Sequence, residues 1–258
     1  MLHFWEEPCI SGTNGSGAVF FSGCALRCCF CQNEPISNQN FGKEISPERL
    51  AEIFLELQEQ GAHNINLVTA GHVLPWVIPA LERAKPNLKI PVVYNSGGYE
   101  FAETLKSLEG LIDVYLPDFK FFYAQTAENY AHAPDYPEIA ESALQEMLRQ
   151  TGKPVFQEQL IKKGCIVRHL VMPGHRQESV ALLKHLAEIF SSDSFLLSLM
   201  SQYTPMQNQQ YPELNRRITK MEYYSVLKTV QELGFSGYCQ EKSSAKSEYT
   251  PDFHLQGL

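Results

Sequence analysis

The chain has 258 residues, enough to bury a sizeable core in one large α/β domain or two small ones. Twenty-one Lys and Arg against 29 Asp and Glu leave a net charge of −8 without a block of like charge. Sequence-independent nucleic-acid binding, which relies on many phosphate contacts, is therefore not expected. A composition of 44% hydrophobic and 19% charged residues fits a soluble globular chain, and there is no run of about 18 apolar residues to suggest a membrane helix. Residues 1–7 have neither a basic n-region nor an apolar h-region, so the expected compartment is the cytoplasm.

In chain order, Gly17 to Ser22 reads as a short buried strand that runs directly into a cysteine-rich loop at 23–34. Ser46 is a good N-cap with Pro47 at the first helical position. Leu50, Ile53, Phe54 and Leu57 then repeat at helical spacing up to Gly61, which predicts an amphipathic helix. The alternation recurs as strands over 64–69, 91–95, 112–118, 165–172 and 195–201. Helices follow them near 74–84, 100–107, 136–150, 176–190 and 219–233, the last ended by Gly234. Segments 119–134 and 202–217 read as long connections rich in Tyr, Asn, Gln and Pro.

Six strand-then-helix units imply right-handed crossovers and a parallel sheet covered by helices. The expected fold class is α/β, a partial (β/α)6 barrel in one domain over 1–241, with 242–258 as a C-terminal tail. A full β/α barrel and a doubly wound open sheet are the alternatives, because local periodicity does not tell a closed sheet from an open one. In each, functional groups gather at the carboxyl ends of the strands.

Cysteines stand at 9, 24, 28, 29, 31, 165 and 239. An odd number, four of them within eight residues, points to a metal or redox site rather than a disulfide framework. Cys24, Cys28 and Cys31 have CxxxCxxC spacing on one loop. Soft thiolates select zinc, Cu(I) or iron-sulfur clusters, and three thiolates leave one corner of a four-iron cluster open for an outside ligand. The competing readings are a zinc site completed by Cys9, Cys29 or a histidine, and a non-catalytic iron-sulfur electron-transfer module. Cys9, Cys165 and Cys239 read as small buried apolar residues.

Other candidates sit at predicted strand ends. Asn95 and Ser96 are short polar side chains before a Gly97-Gly98 turn that permits close backbone approach. Arg168 lies in an apolar strand, where a buried guanidinium requires an anion. His169, on the opposite face, reads as a core histidine. Gln202 and Tyr203 end the sixth strand, where they could face substrate.

The run Gly23-Cys24-xxx-Cys28-xx-Cys31-Gln32-Asn33 after the first strand resembles the radical S-adenosylmethionine (SAM) superfamily. Over roughly residues 7–240 the chain is similar to the branch related to pyruvate formate-lyase activating enzymes, most closely its PflX-like members. The matching stretches begin at Val114, Val167 and Leu199 and end at Lys120, Gly174 and Pro205. The resemblance implies a 4Fe-4S cluster on Cys24, Cys28 and Cys31, S-adenosyl-L-methionine on its open iron, and reductive cleavage to methionine and a 5'-deoxyadenosyl radical. That radical would take hydrogen from a protein, peptide or small molecule, with a glycyl-radical enzyme as one such partner.

The resemblance also implies roles for single residues. Phe30 matches the aromatic position near the adenine, and Asp118 and Lys120 match an Asp-x-Lys element near the cofactor. With the cofactor that the resemblance implies, its carboxylate is the expected anion for Arg168. Thr69 and His72 stand where relatives carry a Gly-Gly-Glu element that supports the methionine amino group; no acid occupies that place here. With neither a ferredoxin-like cysteine insertion nor a cysteine-rich extension, the electron is expected from an external reductant of the flavodoxin or ferredoxin type. A SAM-dependent methyltransferase would show a glycine-rich first turn and an acid after the second strand, and both are missing.

Overall fold

In the computed structural model, residues 1–39, 41–206 and 210–240 are described. The expected tail at 242–258 lies outside them. Local chemistry sets the elements. Helix α3 (Pro47–Glu59) starts where Ser46 Oγ accepts the Arg49 amide at 3.2 Å, and it buries Leu50, Ile53, Phe54 and Leu57. The last helix begins with a reciprocal capping box between Thr219 and Glu222.

The elements run β1 (Leu2–His3), α1 (Pro8–Ser11), β2 (Ser16–Phe20), α2 (Glu34–Ser37), α3, β3 (Ile65–Val68), α4 (Leu74–Ala84), β4 (Val92–Ser96), α5 (Ala102–Lys106), β5 (Val114–Pro117) and α6 (Ala124–Ala131). They continue through α7 (Tyr136–Thr151), β6 (Val155–Gln157), β7 (Leu160–Leu170), α8 (Arg176–Ile189), β8 (Leu196–Met200), α9 (Lys220–Glu232) and β9 (Gly237–Cys239).

Strands β2, β3, β4, β5, β7, β8 and β9 lie side by side in chain order, each parallel to the next. Because the order never reverses, right-handed crossovers put the connecting helices on one face and curl the sheet. That excludes the doubly wound alternative, whose order must reverse. Among the described residues β1 pairs only with β2 and β9 only with β8, so the sheet stays open: a partial barrel.

Leu67, Tyr94, Tyr115, Val167 and Leu197 face the helices and join the main core. Alternate positions face inward, as the two-residue pleat requires. At the N-terminal end of the barrel, Val93, Val114, Leu116 and Ile166 close around Cys9 and Ile10, so α1 plugs that end. Asn64 fastens the plug by donating to the Ile10 carbonyl at 2.7 Å and accepting from Ser16 Oγ at 2.6 Å.

Three expectations change. The connection at 119–134 contains α6, which buries Ala127, Tyr130 and Ala131. The strand expected at 165 begins at Leu160, where it pairs with β6 as a hairpin. Cys9 and Cys165 are buried as expected, but Cys239 is exposed on the last strand of the open sheet. No helix among the described residues is long and apolar enough to cross a membrane.

Candidate active site

A cavity of about 610 Å³ opens at the carboxyl end of the barrel. Its wall contains Cys24, Cys28, Phe30, Cys31, Thr69, Asn95, Ser96, Asp118, Lys120 and Arg168, drawn from five strand-to-helix junctions. Gln202 and Tyr203 line it too, so of the candidate residues only His72 lies outside this chamber.

The cysteine loop is held from three sides. Its entry, Gly23, has φ +93° and donates its amide to the Ile36 carbonyl at 2.9 Å. Its middle docks on α6: the Cys29 amide donates to the Tyr130 carbonyl at 2.8 Å and the Arg27 amide to that of Ala131 at 3.3 Å. Its far end turns back through the Cys31 amide onto the Cys28 carbonyl at 3.1 Å, and Cys31 Sγ lies 3.2 Å from Ser37 Oγ.

Burial pushes the Cys28 thiol up to about 12 and raises that of Cys24, while the nearby Lys120 ammonium opposes both shifts. Three thiols of one loop, with the Lys120 ammonium beside Cys24 and Cys28, are a donor set that fits an iron-sulfur cluster. Among the described residues no three His, Cys, Asp or Glu side chains converge to the spacing that holds a single metal ion. Cys29 is not part of the cavity wall.

The opposite wall is built by β3, β4 and β5. Thr69 holds φ +61°, a left-handed conformation that is unfavourable for a β-branched residue, and its amide donates to the Asn95 carbonyl at 2.8 Å. The Asp118 amide donates to the Ser96 carbonyl at 2.9 Å, and Asp118 forms an ion pair with Lys120 inside the cavity. Burial alone would favour neutral Lys120, but the charge and hydrogen bond of Asp118, together with the nearby Cys28 and Tyr136, outweigh it and push the ammonium above its ordinary value. Phe30 packs edge-on against Phe121 at 6.1 Å and beside Tyr203 at 6.3 Å.

Two candidates sit otherwise than expected. His72 is exposed and outside the cavity wall; its Nε2 lies 2.5 Å from the Ser22 carbonyl, so it clasps the start of the cysteine loop. Arg168 does require an anion, but the protein supplies it. Its Nε donates to Glu7 Oε1 at 2.9 Å and its Nη2 to Glu7 Oε2 at 2.6 Å, with Glu6 as a second carboxylate. A ligand carboxylate is not needed for charge balance there.

Glu6 also accepts from Asn66 at 2.9 Å and Asn95 at 3.3 Å, which ties it to β3 and β4. Sequence reasoning missed Glu6 and Glu7, because an acidic pair near the start of a chain has no periodic or motif signal to tie it to a strand 161 residues away. Met172, Met200 and Cys239 were also missed as wall residues.

Comparison with known proteins adds three findings. The family model for the Radical SAM superfamily matches residues 18–187. The uncharacterized protein MJ0674 of Methanocaldococcus jannaschii is 30% identical over 242 residues, covering 89% of this chain and 65% of that protein. The chain thus spans about two thirds of that relative's length.

Among solved structures, Streptococcus suis SuiB bound to S-adenosylmethionine superposes with a TM-score of 0.59 at 11% identity, covering 92% of this chain and 53% of SuiB. The hydrogenase maturase HydG of Carboxydothermus hydrogenoformans superposes at 0.54 with 14% identity, covering 91% of this chain and 60% of HydG. At such identities these likenesses show the fold alone. With two thirds of its residues under the family model, carrying the cysteine loop and the open barrel, the chain belongs to the radical SAM superfamily.

Proposed function

We propose that this chain is a 4Fe-4S radical SAM enzyme, with Cys24, Cys28 and Cys31 as the cluster thiolates. The supporting observation is that those three thiols line one chamber together with the polar ends of β3, β4 and β5. A four-iron cluster held by those thiolates, with S-adenosylmethionine beside it, would supply one-electron reductive cleavage and hydrogen abstraction.

The remaining work falls to the chain. Phe30, boxed by Phe121 and Tyr203, offers a fixed aromatic wall to a flat heterocycle. Asn95 and Ser96 present hydrogen-bonding groups, the strained Thr69 holds its side chain at the rim, and Asp118 and Lys120 present a balanced charge pair. Leu26, Ile36, Val68, Leu170 and Met200 give the chamber an apolar lining that limits quenching by solvent.

The stretches 114–120, 167–174 and 199–205 favour the finer assignment to the PflX-like branch of the activating-enzyme group. The electron then comes from a separate flavodoxin- or ferredoxin-type reductant. The hydrogen donor is a protein, a peptide or a small molecule, with a glycyl-radical enzyme as one candidate. One SuiB structure contains a precursor peptide, an analogy for a peptide reaching a barrel of this shape.

The test is anaerobic reconstitution, dithionite reduction, addition of S-adenosylmethionine and chromatographic quantification of 5'-deoxyadenosine beside a Cys28→Ala control. Cysteine-dependent product is expected. Zinc in place of iron, or equal product from the control, would sink the assignment.

A further inference from the structure

Tyr136, the first residue of α7, is fully buried, and its hydroxyl meets three backbone groups. It accepts the Lys120 amide at 2.9 Å and lies 2.9 Å from both the Gly97 and the Asp118 carbonyl oxygens, one of which takes its proton. These groups belong to two different junctions. Gly97 follows β4 and carries the Ser96 wall; Asp118 and Lys120 follow β5.

The ring is locked as well. It stacks on Tyr99 with centroids 6.0 Å apart and planes 10° apart, and it meets Phe121 edge-on at 5.3 Å. Phe121 in turn packs on Phe30. The junctions approach more closely than a side chain would permit: Gly98 has φ +78°, and a Cβ there would lie 2.0 Å from the Asp118 carbonyl oxygen.

We propose that Tyr136 is a positioning residue for S-adenosylmethionine, its hydroxyl fixing the spacing between the Ser96-Gly97 and Asp118-Lys120 junctions so that they form one binding wall. The proposal rests on the function above, in which those junctions hold S-adenosylmethionine. Tyr136 itself lies outside the cavity wall. Removing the hydroxyl leaves the part-buried Lys120 amide and one of the two carbonyls without that partner, which either shifts the loops or costs the hydrogen bonds outright.

The test compares wild type, Tyr136→Phe and Tyr99→Leu after anaerobic reconstitution. It measures iron content, melting temperature, the dissociation constant for S-adenosylmethionine by equilibrium dialysis, and the response of the reduced cluster's EPR spectrum to that ligand. Tyr136→Phe is expected to keep its iron and its ligand-free EPR spectrum while binding S-adenosylmethionine about tenfold more weakly, as the loss of a hydrogen bond with a buried partner implies. Tyr99→Leu, which removes the stack and keeps the hydroxyl, is expected to bind nearly as wild type does.

Wild-type affinity in Tyr136→Phe would overturn the inference alone. Loss of iron in step with ligand binding would also overturn it, in favour of a general structural role. Absence of binding by loaded wild type would overturn the proposed function and this inference together.

Discussion

Glu7 gives both carboxylate oxygens to Arg168, at 2.9 Å from Nε and 2.6 Å from Nη2, across 161 residues of chain. Burial pushes the Glu7 carboxyl up, but the Arg168 charge and hydrogen bonds outweigh it and hold the group below its ordinary value. The pair ties the segment around α1 to the carboxyl-end part of β7. Breaking it leaves a buried guanidinium short of a counter-charge, so Glu7→Ala is expected to cost about 3–5 kcal/mol. Urea unfolding of the apoprotein measures this; a loss below about 1 kcal/mol would mean that Glu6 alone satisfies Arg168.

The four crowded cysteines separate into three wall residues and one, Cys29, outside the wall. Cys29→Ser is expected to keep the iron of the reconstituted protein and its cysteine-to-iron charge-transfer absorbance. Cys31→Ser is expected to lose most of both, because two thiolates and a poorer oxygen donor hold the centre weakly. Iron loss in Cys29→Ser would move that residue into the ligand set.

Much of this site was legible in the sequence because its parts obey local rules. The CxxxCxxC spacing needs only one loop, and the alternation of strands and helices puts Thr69, Asn95, Asp118 and Arg168 on one rim by period alone. What was not legible depends on contacts distant in sequence. Arg168 was correctly read as needing an anion, but no pattern links it to Glu6 and Glu7. Helix α6 was hidden because Tyr123 makes no side-chain cap and a left-handed His132 ends the helix, so neither boundary carries a usual signal. His72 occupied the expected strand end, yet the short 3-10 turn Gly71–Val73 directs it to the cysteine loop instead of the chamber.

Glu100 makes stability depend on pH. Burial raises its carboxyl to about 7, only partly offset by the neighbouring Tyr94 hydroxyl. The side chain packs so closely on Gly71 that a Cβ there would lie 2.5 Å from Oε2. The folded state therefore binds the proton more tightly than the unfolded chain does. This contribution is fully present below about pH 4.3 and falls away as pH rises through about 7. Glu100→Gln is expected to gain up to about 3 kcal/mol relative to wild type at pH 8 and little at pH 5. Denaturant midpoints at the two values test it; an equal difference at both would remove Glu100 as the titrating group.

Gly23 and His72 form the hinge on which the cysteine loop hangs. Gly23 is left-handed, and a Cβ on it would lie 2.8 Å from the His72 Nε2 that reaches the Ser22 carbonyl. Gly23→Ala therefore combines a backbone penalty of about 1–2 kcal/mol with displacement of the histidine. Its expected consequence is lower iron retention on gel filtration at unchanged protein concentration. His72→Ala isolates the second part: it is expected to release iron faster to a chelator while binding S-adenosylmethionine, at matched iron content, with wild-type affinity. If affinity falls and iron release does not change, His72 acts on the ligand instead, and the clasp to Ser22 is incidental.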